Sequence, residues 1–166
     1  MAQITLKGSP VSTVGELPAV GSSAPTFTLT TSGLEDVTLD SYKGKWKVLS
    51  IVPSLDTGVC ATSAKTFNGK AAALENTVIL SISADLPFAQ SRFCETEGVD
   101  KVVGLSTFRS PGFGTDYGVA IQDGALAGVM SRAVVVIDPD DTVVYTEQVA
   151  EITQEPDYDS ALNALG

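Results

Sequence analysis

Histidine is absent from the 166 residues of this chain, and there are only two cysteines. Both scarcities exclude specific chemistry. Without histidine there is no Ser-His-Asp triad, no Cys-His nucleophile pair and no histidine-bearing zinc site, and two cysteines cannot build a four-cysteine metal centre. Cations are scarce too: ten lysines and arginines face twenty acids, for a net charge of −10. Such a surface gains nothing by displacing counterions from nucleic acid or an anionic lipid face, so neither is expected as a partner. Long apolar runs are missing. The longest, Ala133 to Ile137, is five residues, far below the ~18 of a spanning helix. The amino end, Met1 to Gly8, has neither a basic n-region nor an apolar h-region, so no secretory signal is expected and a cytoplasmic location is the default. In that compartment two cysteines are more often free thiols, or partners in a transient catalytic disulfide, than a structural bridge.

The chain is 43% hydrophobic and long enough to bury roughly 70% of the surface its unfolded form exposes. One domain over residues 1–166 is expected, with no repeat, linker or low-complexity segment. The acids concentrate late: eight lie between Asp138 and Asp159, and Arg132 is the last cation. Such a run reads first as a solvated face and second as a docking surface for a basic partner.

Gln3 to Lys7 and Val11 to Val14, joined by Gly8-Ser9-Pro10, read as an amino-terminal hairpin within residues 1–15, an appendage to the domain. Phe27 to Thr30 and Val37 to Leu39 are strand candidates around a Ser32-Gly33 turn. Trp46 to Val52 is a more apolar, central strand stopped by Pro53. From Thr57 the period becomes helical, with Ala64, Phe67, Ala71 and Leu74 on one stripe and Asp56 or Thr57 as cap. Thr77 to Ser83 is a buried strand. Asp85 and Pro87 open a second helix through Phe93 and Cys94 that Gly98 ends. Strands at Lys101 to Leu105, Arg132 to Ile137 and Val143 to Tyr145, a short helix at Pro111 to Tyr117 and a last one at Tyr158 to Leu165 complete the pattern. Early strand-helix-strand order with a late hairpin predicts an α/β fold, a mixed sheet covered by helices on both faces.

Three residues stand out for chemistry. Cys60 falls in the first turn of the predicted helix after Pro53, where unpaired amides and the positive end of the helix dipole favour a thiolate. An ordinary thiol near pKa ~8.5 is only a few per cent ionised at neutral pH, whereas one near ~6 is mostly thiolate. The bland alternative is a small apolar residue packing the helix start, against which the polar neighbours Thr57, Gly58 and Thr62 argue. Cys94 lies 34 residues later, so this is no CxxC site. A bridge across that span is worth roughly 3–4 kcal/mol in loop entropy, yet two helices separated by a strand do not obviously bring the thiols together, and a packed Cys94 beside Phe93 is an equal alternative. Arg132, at the edge of an apolar strand, has a planar fork of donors able to hold a thiolate or a polarised oxygen. The competing reading, an end-of-strand arginine paired with a local carboxylate, is the stronger one on these residues alone.

The run Pro53-Ser54-Leu55-Asp56-Thr57-Gly58-Val59-Cys60 resembles the Pro-x-x-x-Thr-x-x-Cys pattern of peroxiredoxins, and its continuation through Ser63 resembles the bacterial thiol peroxidases, the atypical two-cysteine branch. Ser81 to Cys94, Leu105 to Arg109, Arg132 to Asp138 and Glu155 to Tyr158 are similar to further segments of that family, so the likeness covers almost the whole chain. It implies a thioredoxin-like fold with an amino-terminal hairpin, a peroxidatic Cys60, a resolving Cys94, and a peroxide site completed by Thr57, Arg132 and Pro53. It also implies a homodimer that reduces hydrogen peroxide and organic hydroperoxides, is recycled by thioredoxin, and uses no cofactor or metal. Trp46 and Ala64-Lys65 depart from the family pattern, outside the proposed chemistry. Two other readings remain: a redox relay that passes its disulfide to a target protein, disfavoured by the missing CxxC, and a non-catalytic thioredoxin-fold interaction module.

Overall fold

A computed structural model of the chain describes residues 2–71 and 73–166. Strands β1 (Gln3–Leu6) and β2 (Ser9–Ser12) pair antiparallel as a separate two-stranded ribbon. The main sheet has seven strands: β3 (Thr28–Thr31), β4 (Asp36–Thr38), β5 (Trp46–Ile51), β6 (Thr77–Ser83), β7 (Val103–Ser106), β8 (Ala133–Ile137) and β9 (Val143–Gln148), in spatial order β4-β3-β7-β6-β5-β8-β9. β5, β6 and β7 are parallel and the flanking pairs antiparallel. Helices α1 (Gly58–Ala71), α2 (Pro87–Glu97), α3 (Gly112–Asp116) and α4 (Tyr158–Asn163) follow in chain order.

The central strands read as continuous apolar runs because both of their faces are covered. Leu49, Ile51, Leu80, Ile82, Val135 and Ile137 point to a core closed by Phe27, Phe113 and Tyr117. Val48, Ile79, Val134 and Val136 point the other way, to a core shared with Phe67 of α1, Phe93 of α2 and Ala161 of α4. The two parallel crossovers, β5-α1-β6 and β6-α2-β7, therefore put both cysteine-bearing helices on one face, as right-handed connections running in one direction along a sheet must. The expected mixed sheet with helices on both faces and an amino-terminal strand pair is present. Boundaries differ from the expected ones by up to three residues. Leu39, expected to end a strand, opens a 3₁₀ turn over Leu39–Tyr42 instead, and the strand expected to stop at Tyr145 runs on to Gln148.

Candidate active site

The carboxyl ends of the parallel strands open onto one side of the sheet, the place where α/β folds put ligands. β5 ends there. Val52 N–H still donates to Ile82 O at 3.0 Å, but Pro53 has no N–H to continue the ladder, and the chain turns through Ser54 to Thr57. Asp85, just past β6, fixes that turn: its carboxylate accepts from Ser54 Oγ and Leu55 N, both at 2.7 Å, and from Ser83 Oγ at 2.8 Å. The first helical bond of α1 runs from Ala61 N to Thr57 O at 3.0 Å. Gly58, Val59 and Cys60 thus have N–H groups with no intrahelical acceptor, the positive end of the helix.

Cys60, third residue of α1, is fully buried, and Arg132 Nη1 approaches its Sγ to 3.1 Å. Arg132 is only 2% exposed. Its Nε donates to Ile152 O at 2.8 Å, and its own carbonyl is held by Gln148 Nε2 and Val149 N, both at 3.0 Å. Among the described residues no carboxylate pairs with it, which overturns the end-of-strand ion pair favoured from sequence. A buried guanidinium without a counter-charge is costly, and the neighbour here able to become an anion is the Cys60 sulfur.

Pro53, Thr57 and Arg132 line one pocket of about 470 Å³. Its other wall is apolar, formed by Leu6, Leu126, Val129 and Ile152. The hairpin is therefore no appendage; its Leu6 and Lys7 border the pocket. Glu151 docks it, accepting from Thr5 Oγ1 at 2.8 Å, Lys7 N at 3.1 Å and Gly8 N at 2.9 Å. The Thr153 backbone most of all, then the Gly8 backbone and the Thr153 and Thr5 hydroxyls, hold the Glu151 carboxyl down at about 2. The four apolar wall residues carried no signal in the sequence, since only the fold brings them together. The Thr57 hydroxyl donates to Ser54 O at 3.1 Å. A second cleft of about 450 Å³, among Thr26, Leu39, Phe113 and Asp116, contains neither cysteine nor cation.

Cys94 is not brought to this pocket. It is half-buried on α2 and, like Cys60, a free thiol, and burial, then the charge of Glu95, push its pKa up. Cys94 lines a small void with Ala64, Ser81 and Gly104. Ala64 stands one turn beyond Cys60 on α1, so the two thiols border a common apolar layer. Cys60 faces Arg132 at the start of β8 and Cys94 faces β6 and β7. β7 and β8 are three strand spacings apart, about 14 Å.

Residues 19–162 match the redoxin family. Over 166 residues, 100% of this chain and 99% of the other, the sequence is 57% identical to the thiol peroxidases of Mycobacterium tuberculosis and Mycobacterium bovis. A peroxiredoxin-like protein from Aquifex aeolicus superposes with a TM-score of 0.93 at 42% identity, over 98% of this chain and 95% of that one. The thiol peroxidase from Chromobacterium violaceum shares the fold, with a TM-score of 0.90 over 97% and 93% of the two chains at 23% identity.

Proposed function

The chain belongs to the redoxin family, as a peroxiredoxin of the thiol peroxidase type, and we propose that Cys60 attacks the hydroperoxide while Cys94 resolves the product. The observation that carries this is the 3.1 Å approach of Arg132 Nη1 to Cys60 Sγ, with no carboxylate among the described residues competing for the guanidinium. The two cysteines differ in the sense the roles require. Cys60 sits at a helix amino terminus beside a fixed cation, whereas burial and the charge of Glu95 push the Cys94 thiol up.

The Cys60 thiolate attacks one peroxide oxygen, the O–O bond breaks, and the departing oxide takes a proton to leave as alcohol or water. The backbone N–H groups at the start of α1 and the Arg132 guanidinium stabilise the developing anion. No histidine base is needed if the sulfur is already ionised. The Thr57 hydroxyl, on the pocket wall, turns from Ser54 O to the incoming peroxide, and Pro53 closes the pocket without adding a donor. Cys60 is left as a sulfenic acid, which the Cys94 thiol attacks to give a disulfide and water. Side-chain rotation does not close that bond, since a disulfide needs Cα atoms within roughly 7 Å, whereas Cys60 faces the start of β8 and Cys94 faces β6 and β7. Part of α2 must unwind.

A dithiol protein such as thioredoxin, near about −270 mV, returns the two electrons. The apolar wall favours organic hydroperoxides alongside hydrogen peroxide. We read residues 1–166 as one domain, because the hairpin supplies part of that wall, and the assembly as a homodimer whose second copy covers exposed Phe88 and Phe108. A reducing cytoplasm is the compartment in which such a cycle runs. No helix among the described residues is long and apolar enough to cross a membrane. The test is a pair of variants mixed with cumene hydroperoxide. Cys60→Ser is expected to consume none, and Cys94→Ser to consume one equivalent, trap with dimedone and fail to turn over with thioredoxin. Consumption by Cys60→Ser at the parental rate refutes the assignment.

A further inference from the structure

The Asp85 carboxylate holds Ser54 and Leu55, the turn that leads to Cys60, yet Asp85 itself stands two residues before α2, the helix that carries Cys94. We propose that Asp85 is a positioning residue that couples the two cysteines, so that displacement of α2 releases the Cys60 loop. The proposal rests on the reading that Cys60 and Cys94 form a disulfide, and it assigns a role to a residue outside the pocket.

The coupling runs through continuous hydrogen bonds. Gln90 Nε2, one helical turn before Cys94, donates to Ser83 Oγ at 3.1 Å and to Leu105 O at 2.9 Å. Ser83 Oγ in turn donates to Asp85 Oδ2 at 2.8 Å, the oxygen that also receives Leu55 N–H. The Asp85 carbonyl is held separately by Ser106 Oγ at 2.5 Å, which anchors the segment to β7. A shift of α2 large enough to carry Cys94 toward Cys60 strains the Gln90 to Ser83 link, and every donor on the Asp85 carboxylate feels the change.

α2 is built to shift. It has 11 residues and its cap residue Leu86 makes no side-chain cap bond; helices this short are marginal without tertiary support. Glu95 and Glu97 lie in the last turn, at the negative end of the dipole, which has no basic residue of its own. Lys65 of α1 pairs with Glu97 at 2.6 Å across a half-exposed gap, and Glu95 has no such pair among the described residues. Gln90 is fully buried, and its Oε1 has no hydrogen-bond partner, a cost that the packed form of α2 carries and an unwound form sheds. The buried polar link is thus only partly satisfied: firm enough to hold the Cys60 loop and poised to open.

The test separates the two chemical steps by quenched-flow with cumene hydroperoxide, following loss of the Cys60 thiol and appearance of the disulfide by mass. For Asp85→Ala the second-order oxidation of Cys60 is expected to fall about tenfold or more, the order of losing hydrogen bonds to a charged acceptor, while disulfide formation proceeds at least as fast as in the parent. Asp85→Asn keeps one acceptor oxygen for Leu55 N–H and recovers most of the first step. If Asp85→Ala does not fold by circular dichroism, Ser54→Ala and Gln90→Met decide: Ser54→Ala slows the first step, and Gln90→Met, which cuts the link at its α2 end, slows the first step as well while quickening the second. A folded Gln90→Met protein with an unchanged first step overturns the coupling. Equal slowing of both steps, or no change in either, in folded variants overturns the coupling. A parent protein that forms no disulfide at all overturns the proposed function instead.

Discussion

Replacing Arg132 by methionine removes the charge beside Cys60 while keeping most of the buried stem. The bond lost is a charge-assisted one at 3.1 Å from a side chain 2% exposed, so solvent screening offers little relief. Hydrogen bonds to charged groups contribute about 1.5–3 kcal/mol. At tenfold per ~1.4 kcal/mol, the second-order rate of oxidation drops about 10- to 150-fold. Stability moves less: Ile152 O loses its Nε donor, a cost of about 1–3 kcal/mol, but a buried charge disappears at the same site, which offsets part of it. Arg132→Lys should fall between, because one ammonium cannot serve Ile152 O and the sulfur as the planar fork does. Stopped-flow with hydrogen peroxide and with cumene hydroperoxide, beside thermal unfolding of the same samples, measures both quantities. A folded Arg132→Met protein that oxidises within threefold of the parent refutes the reasoning.

Three further outcomes follow from other contacts. Lys47 is fully buried and its ammonium meets Asp141 at 2.6 Å, so Asp141→Ala strands a buried charge and should cost about 2–3 kcal/mol of unfolding free energy, less than a fully buried pair because Asp141 is 27% exposed; Lys47→Met should be nearly neutral, and equal losses in a urea titration contradict this. Glu151 titrates at about 2 in the folded protein against its ordinary 4.5, so its hold on the hairpin is complete above 4.5 and is lost as pH falls toward 2. The protection of the Lys7 and Gly8 amides, taken against the intrinsic exchange rate at each pH, should fall across that window and Glu151→Gln should abolish the dependence; a protection that stays constant in the parent is the contrary result. Leu126→Glu puts a charge in the apolar wall and should slow cumene hydroperoxide several-fold more than hydrogen peroxide; equal slowing denies the wall a part in substrate binding.

Much of the fold was legible because both faces of its sheet are covered. Ala133 to Ile137 is apolar throughout, and within Thr77 to Ser83 the stretch Val78 to Ile82 is interrupted only by Ser81, as expected of strands buried on both sides. The helix after Pro53 was legible from its stripe and its punctuation, and with it the placing of Cys60 in a first turn. Arg132 was legible only as a misfit at a strand edge. Its partner was not, since the 72 residues between Arg132 and Cys60 are spanned by β6, β7 and three helices, and no local pattern encodes such a distance. For the same reason the hairpin reads as an appendage in the sequence: Leu6 meets Leu126 and Ile152 only after the chain has closed. The Asp85 hub was hidden more thoroughly, as an aspartate before a proline reads first as a helix-start signal.

The central claim is that one peroxide delivers a two-electron oxidation to Cys60, which passes on into a Cys60–Cys94 disulfide. Intact-mass measurement of reduced protein mixed with one equivalent of cumene hydroperoxide tests it most directly. Prompt loss of two hydrogens, with a peptide map that joins Cys60 to Cys94, is the predicted result. A mass unchanged after minutes, or a stable gain of one oxygen with Cys94 still free, contradicts it.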